Sequence, residues 1–339
     1  MFVRNAWYVA ASAGEIGRGL TQRWICGEPV VLYRTEAGQA VALEDRCPHR
    51  KAALSMGRLK GDEIECGYHG LCFDSAGLCT RVPGQVSIPP RLRARAYKLV
   101  ERHGWVWLWL GAPEAADPAK VPDYHWNESP GWTPVFGYLH VKADYRLLID
   151  NLMDLTHETF VHPTSIGETV VADTPIATKA EGQRVTVSRL MPECPAPPLF
   201  RKVRGLTTID RWQHITYEPP GNIRIDAGGM PSDTKDMGRA LRWWVLNTLT
   251  PETETTTHYF WSVTRCFSLD DDALSRTLHD QVMTIFNEDA VVLEMQQKLI
   301  ETDRSSRPLL SVNCDAGGSA ARRILGEIER GEQAVGAVA

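Results

Sequence analysis

Two short segments place metal-ligating side chains at narrow spacing. Cys47-Pro48-His49 is followed, after sixteen residues, by Cys66-Gly67-Tyr68-His69, a C-x-H-x16-C-x2-H pattern. Four soft or borderline ligands on two loops suit either a structural zinc or a [2Fe–2S] cluster with two Cys on one iron and two His on the other. The order favours the cluster, because a zinc finger more usually groups its two Cys and its two His separately. Gly70, directly after His69, is the residue a tight ligand loop needs.

Further along, Asp150-Asn151-Leu152-Met153-Asp154-Leu155-Thr156-His157 runs on to His162. On a helix, Asn151, Asp154 and His157 fall at i, i+3 and i+6 and share one face. His162 fits that face only if the helix ends or loosens first, and Pro163 supports an ending there. Two imidazoles with a carboxylate from elsewhere make a facial triad that leaves open positions on Fe(II) for oxygen. The carboxylate must come from a distance. Leu274 to Ile300 has helical spacing, with an apolar stripe through Leu278, Val282, Ile285, Val292 and Leu293. Asp289 falls on the axis of that stripe, where an isolated carboxylate costs several kcal/mol to bury and a metal would remove the penalty. Glu288, turned toward the rim, is the weaker candidate.

The elements that must hold these residues divide in two. From Val30 to Leu110 the chain reads as short β-rich runs, such as Val30–Tyr33 and Val41–Glu44, broken by turn signals including Glu36-Ala37-Gly38 and Asp74-Ser75-Ala76-Gly77. Trp7 and Tyr8 also read as strand. Trp105, Trp107 and Trp109 alternate, which predicts a strand with one heavily aromatic face packed in a core. The proline-bearing stretch 111–132 reads as a linker, so domains of 1–126 and 127–339 are expected. The second should hold a helical segment over 144–157, strands from Arg184 to Cys266, the long helix, and a shorter one over 318–330. An all-β domain followed by an α+β domain is the fold expectation.

At these residues the chain resembles the oxygenase components of Rieske non-haem iron oxygenases. The likeness extends over Asn5-Ala6-Trp7-Tyr8-Val9-Ala10, Cys47 to Arg50, Cys66 to Leu71, Tyr145-Arg146-Leu147, Asp150 to His162, Thr250-Pro251-Glu252-Thr253 and Asp315-Ala316-Gly317. Within the family it is most similar to the vanillate O-demethylase branch, and it also resembles the dicamba and toluenesulfonate enzymes. The resemblance implies a Rieske domain followed by a helix-grip catalytic domain with an antiparallel sheet. It assigns Cys47, His49, Cys66 and His69 to the cluster, and His157, His162 and Asp289 to a mononuclear Fe(II). Asp154 resembles the family's aspartate that connects a cluster histidine to an iron histidine across a subunit boundary, and Asn151 would lie near the iron without ligating it firmly.

The implied activity is monooxygenation that demethylates a methoxylated aromatic acid to a phenol and formaldehyde, using O2. Hydroxylation of an aryl methyl group is the alternative, and a non-catalytic Rieske electron carrier is a rival from another class. No G-x-G-x-x-G follows a strand, so NAD(P)H would act only through a separate reductase or ferredoxin. A head-to-tail homotrimer is also implied, in which each cluster serves its neighbour's iron. For a polar substrate group the second-domain strands offer His214, Arg224, Asn247 and His258; Asn247 stands where the dicamba enzyme has a histidine.

Bulk properties bound the rest. A net charge of −5 argues against a nucleic-acid or anionic-membrane surface. No apolar run approaches the ~18 residues of a bilayer span, and the first ten residues do not read as a signal peptide. Eight cysteines in such a chain are expected as thiols or ligands in the cytoplasm.

Overall fold

The computed structural model describes residues 1–163, 166, 169–305 and 307–336. The chain forms two compact units, Met1–Val121 with Thr250–Glu254, and Pro122–Leu249 with Thr255–Ala339.

The first unit is built from β1 (Trp7–Ser12), β2 (Thr21–Ile25), β3 (Glu28–Arg34), β4 (Ala40–Glu44), β5 (Arg58–Lys60), β6 (Glu63–Glu65), β7 (Cys72–Phe73), β8 (Cys79–Arg81), β9 (Lys98–Arg102) and β10 (Trp105–Trp109). They form three antiparallel sheets, ordered β1-β10-β9, β2-β3-β4 and β5-β6-β7-β8. The expected aromatic strand is β10, but all five of its residues are buried, so both its faces are covered rather than one. Two of its indoles are hydrogen-bonded: Trp107 Nε1 donates to the Arg102 carbonyl at 3.1 Å and Trp109 Nε1 to the Ala112 carbonyl at 2.8 Å. An apolar core of this unit includes Leu43 of β4, Leu54, Ile64 of β6, Phe73 of β7 and the two cysteines Cys47 and Cys66.

The second unit carries one seven-stranded sheet in the order β11-β17-β16-β15-β14-β13-β12. Its strands are β11 (Thr133–Val141), β12 (Ala177–Glu181), β13 (Arg184–Pro195), β14 (Thr208–Glu218), β15 (Asn222–Pro231), β16 (Leu241–Pro251) and β17 (Thr257–Arg265). Strand β11, a sheet edge, and β12 fall outside the strands expected from the sequence. The helices are α1 (Tyr145–Met153), α2 (Glu158–Val161), α3 (Thr169–Asp173), α4 (Pro198–Arg204), α5 (Asp272–Thr302) and α6 (Ala316–Gly336). On β14 and β15 alternate residues face opposite sides of the sheet, as the pleat requires. That alternation decides which side chains reach the site.

Helix α5 is tied to the residues that lead into α1 and to β17. The Gln297 side chain accepts from Asp144 N at 3.0 Å, and Glu294 from Lys142 N at 3.0 Å. Phe286 packs on Tyr259 and Trp261, with ring centroids 5.0 and 5.6 Å apart. The face so buried is Phe286, Asp289, Leu293 and Gln297. Val292, expected in the stripe, is instead 47% exposed. One position drifts off the stripe because 3.6 residues per turn do not repeat every seven.

Candidate active site

The two Cys/His loops of the first unit are closed in the same way. Cys47 N donates to the Ala52 carbonyl and Cys66 N to the Leu71 carbonyl, both at 2.8 Å. Lys51 N returns to the Cys47 carbonyl at 2.7 Å, and Gly70 N to the Cys66 carbonyl at 3.0 Å. Both returning residues are left-handed, Lys51 at φ 59° and Gly70 at φ 70°. Glycine takes that conformation without strain and lysine does not, so only one of the two loops shows its geometry in the sequence. Each loop turns its cysteine inward (2% exposed in both cases) and leaves its histidine exposed. The imidazoles of His49 and His69 meet with centroids 4.8 Å apart. Burial, and then the neighbouring Cys66, push the Cys47 thiol up to about 11. Two paired thiols inside and two paired imidazoles outside are the donor set of a cluster with Cys on one iron and His on the other.

In the second unit, α1 stops at Met153, one turn earlier than expected. Asp154 is extended (φ −111°, ψ 114°), and its Oδ1 accepts from Thr156 N at 2.7 Å. An aspartate that bonds the backbone two residues on offers the chain a turn in place of a helix. The shared face of Asn151, Asp154 and His157 is therefore not formed. Instead His157 and His162 flank the single turn α2 as its N-cap and C-cap residues. That turn is what brings two imidazoles five residues apart onto one point.

Their partner is Asp289, 6% exposed. Its Oδ1 lies 3.4 Å from His157 Nε2 and 3.2 Å from His162 Nε2. One ligand atom from each of the three residues falls within 4.8 Å of the others. The remote nitrogens are held separately. His157 Nδ1 meets the Asp154 carbonyl, and His162 Nδ1 meets Glu288 Oε2 at 2.7 Å. Each ring thus has its Nδ1 fixed and its Nε2 turned to the centre, which is how second partners orient metal-binding histidines. Burial opposes protonation of His162, but Asp289 and then Glu288 outweigh it and raise the imidazole above its usual value. Asn151 Nδ2 donates to the same Asp289 oxygen at 3.1 Å. These donors fit a divalent metal held by two imidazoles and one carboxylate. Glu288, ranked below Asp289 on helix rotation, has a place as the partner of His162.

The triad opens on a cavity of about 590 Å3, within the ~300–1,000 Å3 usual for small-molecule sites. Its walls are largely apolar, with Leu155, Ile225, Val245, Val263, Val282 and Ile285 among them. Arg211, Gln213 and Glu158 bring polar groups to it. Gln213 Nε2 donates to both Glu158 carboxylate oxygens, at 2.8 and 3.0 Å, and an Arg211 guanidinium nitrogen lies 3.7 Å from Glu158.

Of the four side chains suggested for a polar substrate group, none lines this cavity among the described residues. His214, Arg224 and His258 have the opposite strand parity to Gln213, Ile225 and Val263, and so face the far side of the sheet. Asn247 is fully buried, with Nδ2 on the Ile223 carbonyl at 3.2 Å and Oδ1 accepting from Tyr259 at 2.7 Å. The groups that do line it were missed, although the parity of β14 carried a signal. Arg211 and Gln213 interrupt the inward row that continues with Ile215 and Tyr217.

Comparison with known proteins agrees with both halves of the chain. Residues 6–94 match the Rieske [2Fe-2S] domain, and residues 141–330 match the vanillate O-demethylase oxygenase C-terminal domain. The iron-sulfur subunit of the toluene-4-sulfonate monooxygenase system of Comamonas testosteroni is 39% identical over 98% of each chain. The vanillate O-demethylase oxygenase subunit of a Pseudomonas species is also 39% identical, over 98% of this chain and 96% of that one. The crystal structure of dicamba monooxygenase bound to 3,6-dichlorosalicylic acid superposes with a TM-score of 0.91 at 33% identity, covering 98% of this chain and 99% of that one. The chain belongs to the Rieske non-haem iron oxygenases, in the group that carries the vanillate O-demethylase oxygenase C-terminal domain. It is a terminal oxygenase of a Rieske monooxygenase system, with a Rieske [2Fe–2S] cluster and a mononuclear non-haem iron as cofactors. A non-catalytic Rieske carrier is excluded, since its like would have no use for the second unit.

Proposed function

We propose that this oxygenase removes the methyl group of a methoxylated aromatic acid. The overall change is aryl–O–CH3 + O2 + 2 e− + 2 H+ → aryl–OH + HCHO + H2O, the electrons arriving from a separate reductase or ferredoxin. The observation that carries the reading is a two-imidazole, one-carboxylate centre facing a mostly apolar cavity sized for a small molecule. Cys47 and Cys66 would hold one cluster iron and His49 and His69 the other; His157, His162 and Asp289 would hold the mononuclear iron. The iron supplies oxygen activation when bound; the protein's contribution is geometry and enclosure. Glu288 and the Asp154 carbonyl fix the two imidazoles, Asn151 steadies the Asp289 oxygen, and the apolar walls exclude bulk water from the reacting methyl.

Asp154 is the residue we place between a cluster histidine of one subunit and His157 of the next, in a head-to-tail trimer. Mass photometry of an active monomer would refute that arrangement. No two of the eight cysteines are joined in a disulfide, which suits a reducing cytoplasm. No helix among the described residues is long and apolar enough to cross a membrane.

The test is a screen of methoxybenzoates with a surrogate reductase, following formaldehyde and the matching phenol. Hydroxylation of an arenesulfonate methyl is the second reading, favoured by the toluene-4-sulfonate relative. With toluene-4-sulfonate as substrate, a benzylic alcohol formed without formaldehyde would decide for it.

A further inference from the structure

We propose that Gln213 determines specificity by accepting a hydrogen bond from a hydroxyl on the substrate's ring, so that the substrate class is a hydroxylated methoxyarene. This rests on the demethylation reading and names the substrate more closely.

The cavity offers three polar wall positions with a buried cation or amide: Arg211, Gln213 and Arg265. Distance removes Arg265. Its guanidinium is bonded to Ser275 Oγ at 2.9 Å, and Ser275 lies fourteen residues before Asp289 on α5. At 1.5 Å per residue that is about 21 Å along the helix, farther than a single ring reaches from a methyl held at the triad. Arg265 is moreover occupied with the Phe267, Ser268 and Asp271 carbonyls, which makes it a brace for the start of α5.

Gln213 is near the centre. It bonds Glu158, the residue directly after His157 and the first residue of α2. Its orientation is settled by chemistry. A carboxylate only accepts, so the amide must present Nε2 to Glu158, and a flip would set oxygen against oxygen. Oε1 is then turned away from Glu158. That atom is buried and has no partner, on a side chain that is 4% exposed and lines the cavity. A buried acceptor without a donor is costly, and such an atom in a native cavity wall points to a group that arrives with the ligand.

The missing partner must be a donor, which excludes the substrate's carboxylate or sulfonate at this atom. A neutral donor suffices, because the Arg211 guanidinium two residues along the same strand already faces the Glu158 carboxylate at 3.7 Å. A ring hydroxyl is such a donor, and its oxygen can in turn accept. Ala227, directly across from Gln213 on β15, has too small a side chain to cover the amide from that side.

The test uses the complete iron-loaded protein and two ligands, 4-hydroxy-3-methoxybenzoate and 3-methoxybenzoate. Equilibrium binding is measured anaerobically by tryptophan fluorescence, and formaldehyde release is measured separately with a surrogate reductase. One buried hydrogen bond predicts that the wild type binds the hydroxylated compound about ten- to a hundredfold more tightly. In Gln213→Leu that ratio falls toward one, chiefly by loss of affinity for the hydroxylated compound. A wild-type ratio near one, or the same ratio in both proteins, overturns the assignment. Equal weakening of both ligands in Gln213→Leu, with loss of mononuclear iron, also overturns it, since Gln213 would then serve only to position Glu158. Should the variant not fold, the wild-type ratio decides alone. Absence of formaldehyde from both compounds would count against demethylation, while the binding ratio still decides the hydroxyl contact.

Discussion

Glu288→Ala should weaken retention of the mononuclear iron while leaving the Rieske cluster in place. Glu288 Oε2 sits 2.7 Å from Nδ1 of His162, whose side chain is 1% exposed. A hydrogen bond to an ionised group contributes about 1.5–3 kcal/mol. The Glu288 side chain is itself 30% exposed, so solvent screening favours the lower end, about 1.5 kcal/mol. That corresponds to roughly tenfold in iron affinity, at the weak edge of the ~10–100-fold loss usual when such a partner is removed. The assay is competition with a ferrous chelator, with cluster absorption as the internal control and iron counted before and after. Glu288→Gln keeps an acceptor but not the charge, and should fall between the alanine variant and the wild type. Unchanged iron retention in Glu288→Ala would refute the view that this carboxylate orients the histidine. Loss of cluster absorption would show a wider structural role instead.

Asp289→Ala, which removes the carboxylate common to both imidazoles, should abolish mononuclear iron and turnover yet keep cluster colour; full activity would sink the assignment of the centre. Gly137→Ala in β11 would place a Cβ 2.0 Å from the ring of Trp261, which is fully buried. Overpacking of about 1–3 kcal/mol, at roughly 2–4 °C per kcal/mol, should lower the melting temperature by several degrees, as calorimetry would show. Acid should weaken the first unit through Glu28. Burial penalises its charge, but the Tyr97 hydroxyl at 2.7 Å and then Arg4 and Arg95 outweigh that and hold the carboxyl below its ordinary 4.5. A depressed folded pKa gives stability that is present above about pH 4.5 and lost as pH falls through the folded value. Urea midpoints of wild type and Glu28→Gln should therefore differ at pH 7 and converge in acid; a constant difference would contradict the linkage.

The candidate ligands and the two-part organisation were legible because they are local. C-x-H and C-x2-H place a thiol and an imidazole on one loop whatever surrounds it, and Gly70 marks the left-handed turn of one loop openly. Asp289 was legible for a different reason: a carboxylate on the buried stripe of a long helix conflicts with its surroundings, and such conflicts mark function. Tertiary structure alone decided the rest. The helical period ran past Asp154 because a side chain that bonds its own backbone ends a helix without changing the pattern of apolar residues. The roles of Glu288 and Gln213 depend on which rings and carboxylates reach them from residues 126 and 55 positions away in the chain. Spacing specifies what a segment can bind. Only packing, by setting helix rotation and strand parity, determines which distant group it meets.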